Sequence, residues 1–200
     1  FKGKKVAISG FGNVSWGTAS KLEELGAIPI TISGPDGYIL DEEGVLGEKI
    51  DYLLELRASG KNICKPYADK FKSAKFIEGK KPWEVKADMY IPCATQNEIL
   101  IDDAKAIVAS GAKYVCEGSN MSSSNEAIEY MLNNGIILGP SKAANAGGVA
   151  CSCIEMGQNS GKTVFKPEQV HAQLKDIMVN IHDAAKNAAE EYGYGYNLVA

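Results

Sequence analysis

The run Lys4-Lys5-Val6-Ala7-Ile8-Ser9-Gly10-Phe11-Gly12-Asn13-Val14-Ser15 constrains this chain more than any other stretch. It reads as a short apolar strand entering a Gly-x-Gly-x-x-small turn, followed at once by a helix pattern with Val14, Leu22 and Leu25 on one face. Gly10 permits the tight turn. Gly12 lets an anion approach the backbone, and a small residue at Ser15 lets helix and strand pack closely. The helix start adds unpaired N–H groups and a partial positive charge. Strand, glycine turn and helix in that order form a seat for a diphosphate. Taken alone, the same glycines also suit an ordinary strand-to-helix turn.

The rest of the chain repeats the alternation. Apolar runs at 28–33, 74–77, 88–91, 113–116 and 136–138 predict strands, and residues 48–58, 102–110 and 125–134 predict helices. Ser124 is a natural N-cap for the last of these and Gly135 its stop. From 142 onward the pattern is helical, near 144–159 and near 168–192. Strands and helices in turn, joined by short links, predict an α/β fold of the Rossmann-like doubly wound kind. Its sheet is mostly parallel, with helices on both faces. Nothing resembles an interdomain linker, so residues 1–200 read as one dinucleotide-binding domain.

Composition narrows the function. A net charge of -4 without a basic stripe gives no reason to expect nucleic acid. No apolar run approaches a membrane span. The five cysteines are Cys64, Cys93, Cys116, Cys151 and Cys153; an odd number, mostly in apolar segments, predicts buried thiols in a reducing compartment such as the cytoplasm. His171 and His182 read as helix residues rather than metal ligands, and no metal site is predicted.

Three later segments fall where a doubly wound sheet gathers its ligands, beyond the carboxyl ends of strands. Pro92-Cys93-Ala94-Thr95-Gln96-Asn97-Glu98 follows one strand, and Glu117-Gly118-Ser119-Asn120-Met121 follows the next. The small-residue run Pro140 to Ser152 follows a third, with Asn145 and Ser152 as its polar groups. Asp36 follows the second strand, where a carboxylate can bind an adenosine ribose and repel a 2′-phosphate, favouring NAD over NADP. It also suits a plain turn before Gly37. Arg57 and Lys61, if folded nearby, would weaken that preference.

Ile91-Pro-Cys-Ala-Thr-Gln-Asn-Glu98, Glu117-Gly-Ser-Asn-Met121, Ser141-Lys-Ala-Ala-Asn-Ala-Gly-Gly-Val149 and Ile154-Glu-Met-Gly-Gln-Asn159 stand in one order along the chain. Together they resemble the C-terminal, dinucleotide-binding half of the hexameric glutamate dehydrogenase family, over essentially all 200 residues. The resemblance implies reversible NAD- or NADP-dependent oxidative deamination of L-glutamate to 2-oxoglutarate and ammonia. It also implies a homohexameric parent enzyme. The catalytic lysine and aspartate would lie in a separate N-terminal domain, so the chain reads as an inactive piece carrying no catalytic residue.

By the same resemblance, Gly10, Phe11, Gly12, Asn13 and Val14 would hold the pyrophosphate and Asp36 the adenosine ribose. Ala94, Thr95 and Gln96 would line the ribose and nicotinamide. Asn120 and Asn145 would meet the nicotinamide end, and Ser152 the substrate's side-chain carboxylate. Three departures stand out. Ser15 replaces a commoner alanine. Ser122-Ser123-Ser124 replaces a Pro-Thr-Thr type run, which predicts a more mobile loop. Gly34-Pro35-Asp36 is similar to the turn of NAD-dependent members. The alternatives are a leucine- or phenylalanine-type dehydrogenase, which a hydroxyl at Ser152 argues against, and a stand-alone nucleotide-binding regulatory module.

Overall fold

The computed structural model describes residues 1–200. Five parallel strands form the main sheet: β1 (Lys5–Ile8), β2 (Ile28–Pro29), β6 (Met89–Ile91), β7 (Tyr114–Cys116) and β8 (Ile137–Gly139), in the order β2-β1-β6-β7-β8. The chain leaves β1 toward β2 on one side and returns to β6 on the other. The β1/β6 boundary is therefore the switch point where a crevice opens.

Side-chain alternation along the strands divides the core in two. Val6 and Ile8 of β1 face a cluster with Ala19 and Leu22 of α1 (Asn13–Glu24) and Ile50, Leu53 and Leu56 of α2 (Glu48–Ala58). Ala7, Tyr90, Val115 and Leu138 face the other cluster, with Ala104 and Ile107 of α4 (Ile101–Ala109) and Ala127 and Met131 of α5 (Asn125–Asn133). Helices thus cover both faces, as the alternation predicts. Ser124 caps α5 by accepting the Ala127 amide.

Within α1 the buried positions are Ser15, Ala19 and Leu22. Val14 and Leu25 are exposed, which corrects the apolar face expected from sequence. The reason is spacing: Ser15, Ala19 and Leu22 at i, i+4 and i+7 define the stripe that meets the sheet, and small residues there bring helix and strand together.

The run 28–33 does not form one strand. β2 ends at Pro29, and β3 (Thr31–Gly34) pairs antiparallel with β4 (Gly37–Asp41), which pairs with β5 (Ala74–Glu78). Residues 74–77 therefore edge a separate three-stranded antiparallel sheet rather than joining the parallel one. Where the backbone veers away, side chains take over the ladder of β1. The Thr31 hydroxyl accepts the Ile8 amide at 2.8 Å and donates to the Ile8 carbonyl at 2.9 Å. Ser33 Oγ accepts the Gly10 amide at 2.8 Å.

This second sheet is anchored by a buried ion pair. Asp41 is fully buried and accepts Lys49 Nζ and the Tyr67 hydroxyl, each at 2.8 Å, and the Ser73 hydroxyl at 3.1 Å. That set joins β4, α2 and α3 (Lys65–Lys70). The last three helices, α6 (Ser141–Ala144), α7 (Ala146–Ser160) and α8 (Pro167–Glu191), pack mainly on one another. No residue of α7 is buried, and Ala189 is the buried residue of α8. Cys151 and Cys153 on α7 are accordingly exposed, against the expectation of buried thiols, whereas Cys64 and Cys93 are buried. No helix is long and apolar enough to cross a membrane.

Candidate functional site

The carboxyl ends of β1, β3 and β6 converge on a cavity of about 500 Å³. Gly10, Phe11 and Gly12 line it, with Ser33, Gly34 and Pro35 beside them and Cys93, Ala94 and Thr95 opposite. A larger hollow of about 930 Å³ lies among Lys4, Asp88, Met89 and Tyr114, at the amino ends of β1, β6 and β7. Parallel sheets gather their ligand-binding loops at the carboxyl ends, so the smaller cavity is the candidate site.

Gly10 has φ +89, and a Cβ there would lie 2.7 Å from the Cys93 carbonyl oxygen. Only glycine lets the turn pass this close to the loop after β6. Gly12 is the complement: a Cβ there would meet no protein atom within 4 Å. Its missing side chain opens space in the cavity rather than relieving contact with the protein. Ser15 fixes the turn, since its Oγ accepts the Gly12 amide at 2.9 Å and donates to the Gly12 carbonyl at 2.8 Å. The first amides of α1 have no carbonyl a turn earlier to bond, and no acidic residue stands in that first turn. An anion at Gly12 meets the start of a helix whose first turn carries no acidic residue, so these residues fit a bound diphosphate. Asn13 and Val14 are exposed at the start of α1.

Two buried carboxylates shape the same edge. Glu98 Oε1 accepts the Ala94 amide at 2.9 Å and the Ser119 hydroxyl at 3.2 Å. Burial pushes its titration above the usual carboxylate range, opposed by hydrogen bonds from Ser9, Ala94 and Ser119. Glu117 accepts the Ser123 amide at 2.8 Å through one oxygen and the Ser141 amide at 3.0 Å through the other. Neither stands out as a site residue in the sequence. The signal available was a glutamate at the end of each loop's or strand's apolar stretch, where burial demands several donors. These ties also correct the expected mobility of residues 122–124: Ser122 and Ser123 are buried, and Ser122 Oγ donates to the Ser119 carbonyl at 2.9 Å.

Asp36 stands next to the cavity, but its carboxylate turns toward α3. It accepts the Cys64 amide at 3.1 Å and the Lys65 amide at 3.0 Å, and the Cys64 thiol lies 3.4 Å away. Burial, with the Asp36 charge second, pushes that thiol up to about 12. Arg57 lines the cavity with Lys80 and Lys81; Lys61 does not.

Of the residues singled out from sequence, Gly10, Phe11, Gly12, Ala94 and Thr95 meet around one cavity. Gln96 is exposed, with Nε2 3.8 Å from Met121 Sδ. Asn120 is exposed and Asn145 half-buried at the α6–α7 junction. Ser152 is exposed on α7 and donates to the Gly148 carbonyl at 3.3 Å. Asn120, Asn145 and Ser152 do not line the cavity.

A doubly wound parallel sheet with a glycine turn at its switch point defines a Rossmann-like α/β domain. The model of the Glutamate/Leucine/Phenylalanine/Valine dehydrogenase family matches residues 1–200, and the chain belongs to that family. It is 52% identical to an NAD-specific glutamate dehydrogenase of Clostridium symbiosum, over 99% of this chain and 44% of that protein. It is 43% identical to an NADP-specific glutamate dehydrogenase of Haemophilus influenzae, over 93% of this chain and 41% of the relative. A crystal structure of Plasmodium falciparum glutamate dehydrogenase superimposes with a TM-score of 0.94 at 38% identity, over 98% of this chain and 42% of that one. The chain therefore spans less than half the length of these relatives.

Proposed function

We propose that this chain is the dinucleotide-binding domain of a glutamate dehydrogenase, with NAD preferred over NADP. The observation that carries the reading is the switch-point cavity, where Gly12 offers open space at the start of α1 and Gly10 lies against the Cys93 carbonyl. Relatives named NAD-specific and NADP-specific glutamate dehydrogenase support the cofactor class and the reaction. The intact enzyme would be a soluble cytoplasmic homohexamer that converts L-glutamate reversibly to 2-oxoglutarate and ammonia.

When bound, the dinucleotide supplies the hydride acceptor. The chain's own residues bind and orient it. The Gly10–Val14 turn would seat the paired phosphates through the Phe11, Asn13 and Val14 amides, because the Gly10 and Gly12 amides are held by Ser33 and Ser15. Asp36 would meet the adenosine ribose by turning its carboxylate from the Cys64 and Lys65 amides. Ala94, Thr95 and Gln96 would hold the second ribose and the ring. Asn120 and Asn145 would hold the ring's carboxamide, and Ser152, which here donates to the Gly148 carbonyl, would donate to the substrate carboxylate in the whole enzyme. Separation of these last three from the cavity agrees with a cleft completed by another domain, which would carry the proton-transfer groups. The isolated chain would then bind cofactor without turning over glutamate.

Isothermal titration of the chain with NADH and with NADPH tests the binding role. Saturable heat with NADH is expected, and no heat with either at millimolar cofactor contradicts the reading. Substrate profiling of the full-length enzyme tests the reaction, since leucine preferred over glutamate would place it elsewhere in the family.

A further inference from the structure

Glu98 is 3% exposed, and it ties two loops of the carboxyl edge to one another. It holds the Ala94 amide of its own loop and the Ser119 hydroxyl of the loop after β7. From the end of β1, Ser9 Oγ accepts the Cys93 amide at 2.9 Å, which fixes the start of the same loop. The Glu98 backbone is fixed from outside, where its carbonyl accepts Lys81 Nζ at 2.7 Å and Trp83 Nε1 at 3.2 Å. The loop it closes is strained. Asn97 has φ 52 and Met121 has φ 46, and the Asn97 amide donates to the Met121 carbonyl at 2.9 Å. Such backbone persists only where its surroundings impose it, and it clusters at ligand sites.

We propose that Glu98 is a proton-sensitive positioning residue for the cofactor: its ionised carboxylate holds Ala94, Thr95 and Gln96 in the shape that meets the dinucleotide, and proton uptake slackens that loop. The proposal rests on the dinucleotide-binding reading above. An ionised carboxylate only accepts, which matches the donors around it. A carboxylic acid turns one oxygen into a donor facing other donors. Burial raises the titration of Glu98, which brings the change closer to neutral pH than an exposed glutamate allows.

The other charged groups near Glu98 do not substitute for it. Arg57, Lys80 and Lys81 share the cavity, and none forms an ion pair with the Glu98 carboxylate; Lys80 pairs with Glu84 instead. The Cys93 thiol, pushed up to about 12 by burial, stays neutral. Glu117 is engaged with the Ser123 and Ser141 amides. His171 and His182 lie on α8 and do not line the cavity.

The effects on binding and on stability have opposite signs. Because the Glu98 titration is raised on folding, the native chain takes up that proton before the unfolded chain does. This group therefore adds stability as pH falls through its folded titration, while the cofactor is lost over the same interval. A role confined to stability would move both together.

The test is the NADH dissociation constant by fluorescence between pH 5.5 and 8.5 for wild type, E98Q and S119A, with thermal unfolding in the same buffers. Wild-type binding should weaken as pH falls, approaching about tenfold per unit for one coupled proton. E98Q should bind weakly at every pH with a flat profile. S119A removes a donor to the ionised form and should move the wild-type midpoint upward. A flat wild-type profile, or an E98Q profile parallel to wild type, overturns the proposal. If E98Q does not fold, the wild-type and S119A profiles decide it. Absence of NADH binding at every pH overturns the dinucleotide reading itself, and this proposal with it.

Discussion

The Lys65 amide donates to the Asp36 carboxylate at 3.0 Å, so the residue that the sequence places against a ribose also holds the start of α3. The Cys64 amide joins it at 3.1 Å. Asp36→Ser therefore has two consequences. Removing the negative charge should improve NADPH binding relative to NADH, with Arg57 and Lys80 near at hand. Losing the carboxylate should also destabilise the fold by about 1 kcal/mol, as for a lost helix cap. Paired titrations and a melting curve separate the two. An unchanged cofactor ratio would remove Asp36 from the specificity account.

Gly10→Ala should be severe. The left-handed backbone costs a residue with a side chain about 1–3 kcal/mol. The added carbon also overlaps the Cys93 carbonyl at 2.7 Å, so the turn and the loop after β6 must separate. Chemical denaturation and NADH titration should both show the loss. Gly12→Ala should behave differently, keeping its stability and losing affinity, because its Cβ meets no protein atom.

Lys49→Met should cost about 3–5 kcal/mol, since it strands a fully buried carboxylate at Asp41. Tyr67→Phe removes one donor to the same carboxylate and should cost about 1.5–3 kcal/mol. Urea denaturation of both variants checks the order. Equal and small losses would mean that the buried pair is not what fastens β4 to α2 and α3.

Thiol reactivity should divide the five cysteines by position. In the folded chain Cys151 and Cys153, exposed on α7, should react quickly with a thiol reagent. Cys64 and Cys93 should react only on unfolding, because each thiol is buried and its titration is pushed up to about 12. Peptide mapping after a short exposure identifies the modified residues, and early labelling of Cys93 would contradict the packing at the switch point.

Much of this arrangement is legible in the sequence, for physical reasons that can be named. The β1 turn is legible because Gly10 and Gly12 sit between an apolar run and a helix pattern, and local chemistry there dictates local shape. The cap at Ser124 and the two long terminal helices are legible for the same reason. The break at Ile30 is not. It depends on Thr31 and Ser33 supplying hydroxyls to β1, a long-range substitution that leaves no periodic trace. Residues 74–77 look like any parallel strand until β4 offers an antiparallel partner. The second role of Asp36 needs α3 in place, and the buried ties of Glu98 and Glu117 need loops that are adjacent only in three dimensions. Ser152 stands apart from the cavity because α7 packs on α8 and not on the sheet.

A crystal structure of the chain with NADH tests the central claim most directly. The account predicts pyrophosphate oxygens within hydrogen-bonding distance of the backbone amides between Gly12 and Val14, and the ring near Ala94 and Thr95. A cofactor seated instead in the hollow beside Lys4 and Tyr114, or a glycine turn left empty at saturating NADH, would contradict it.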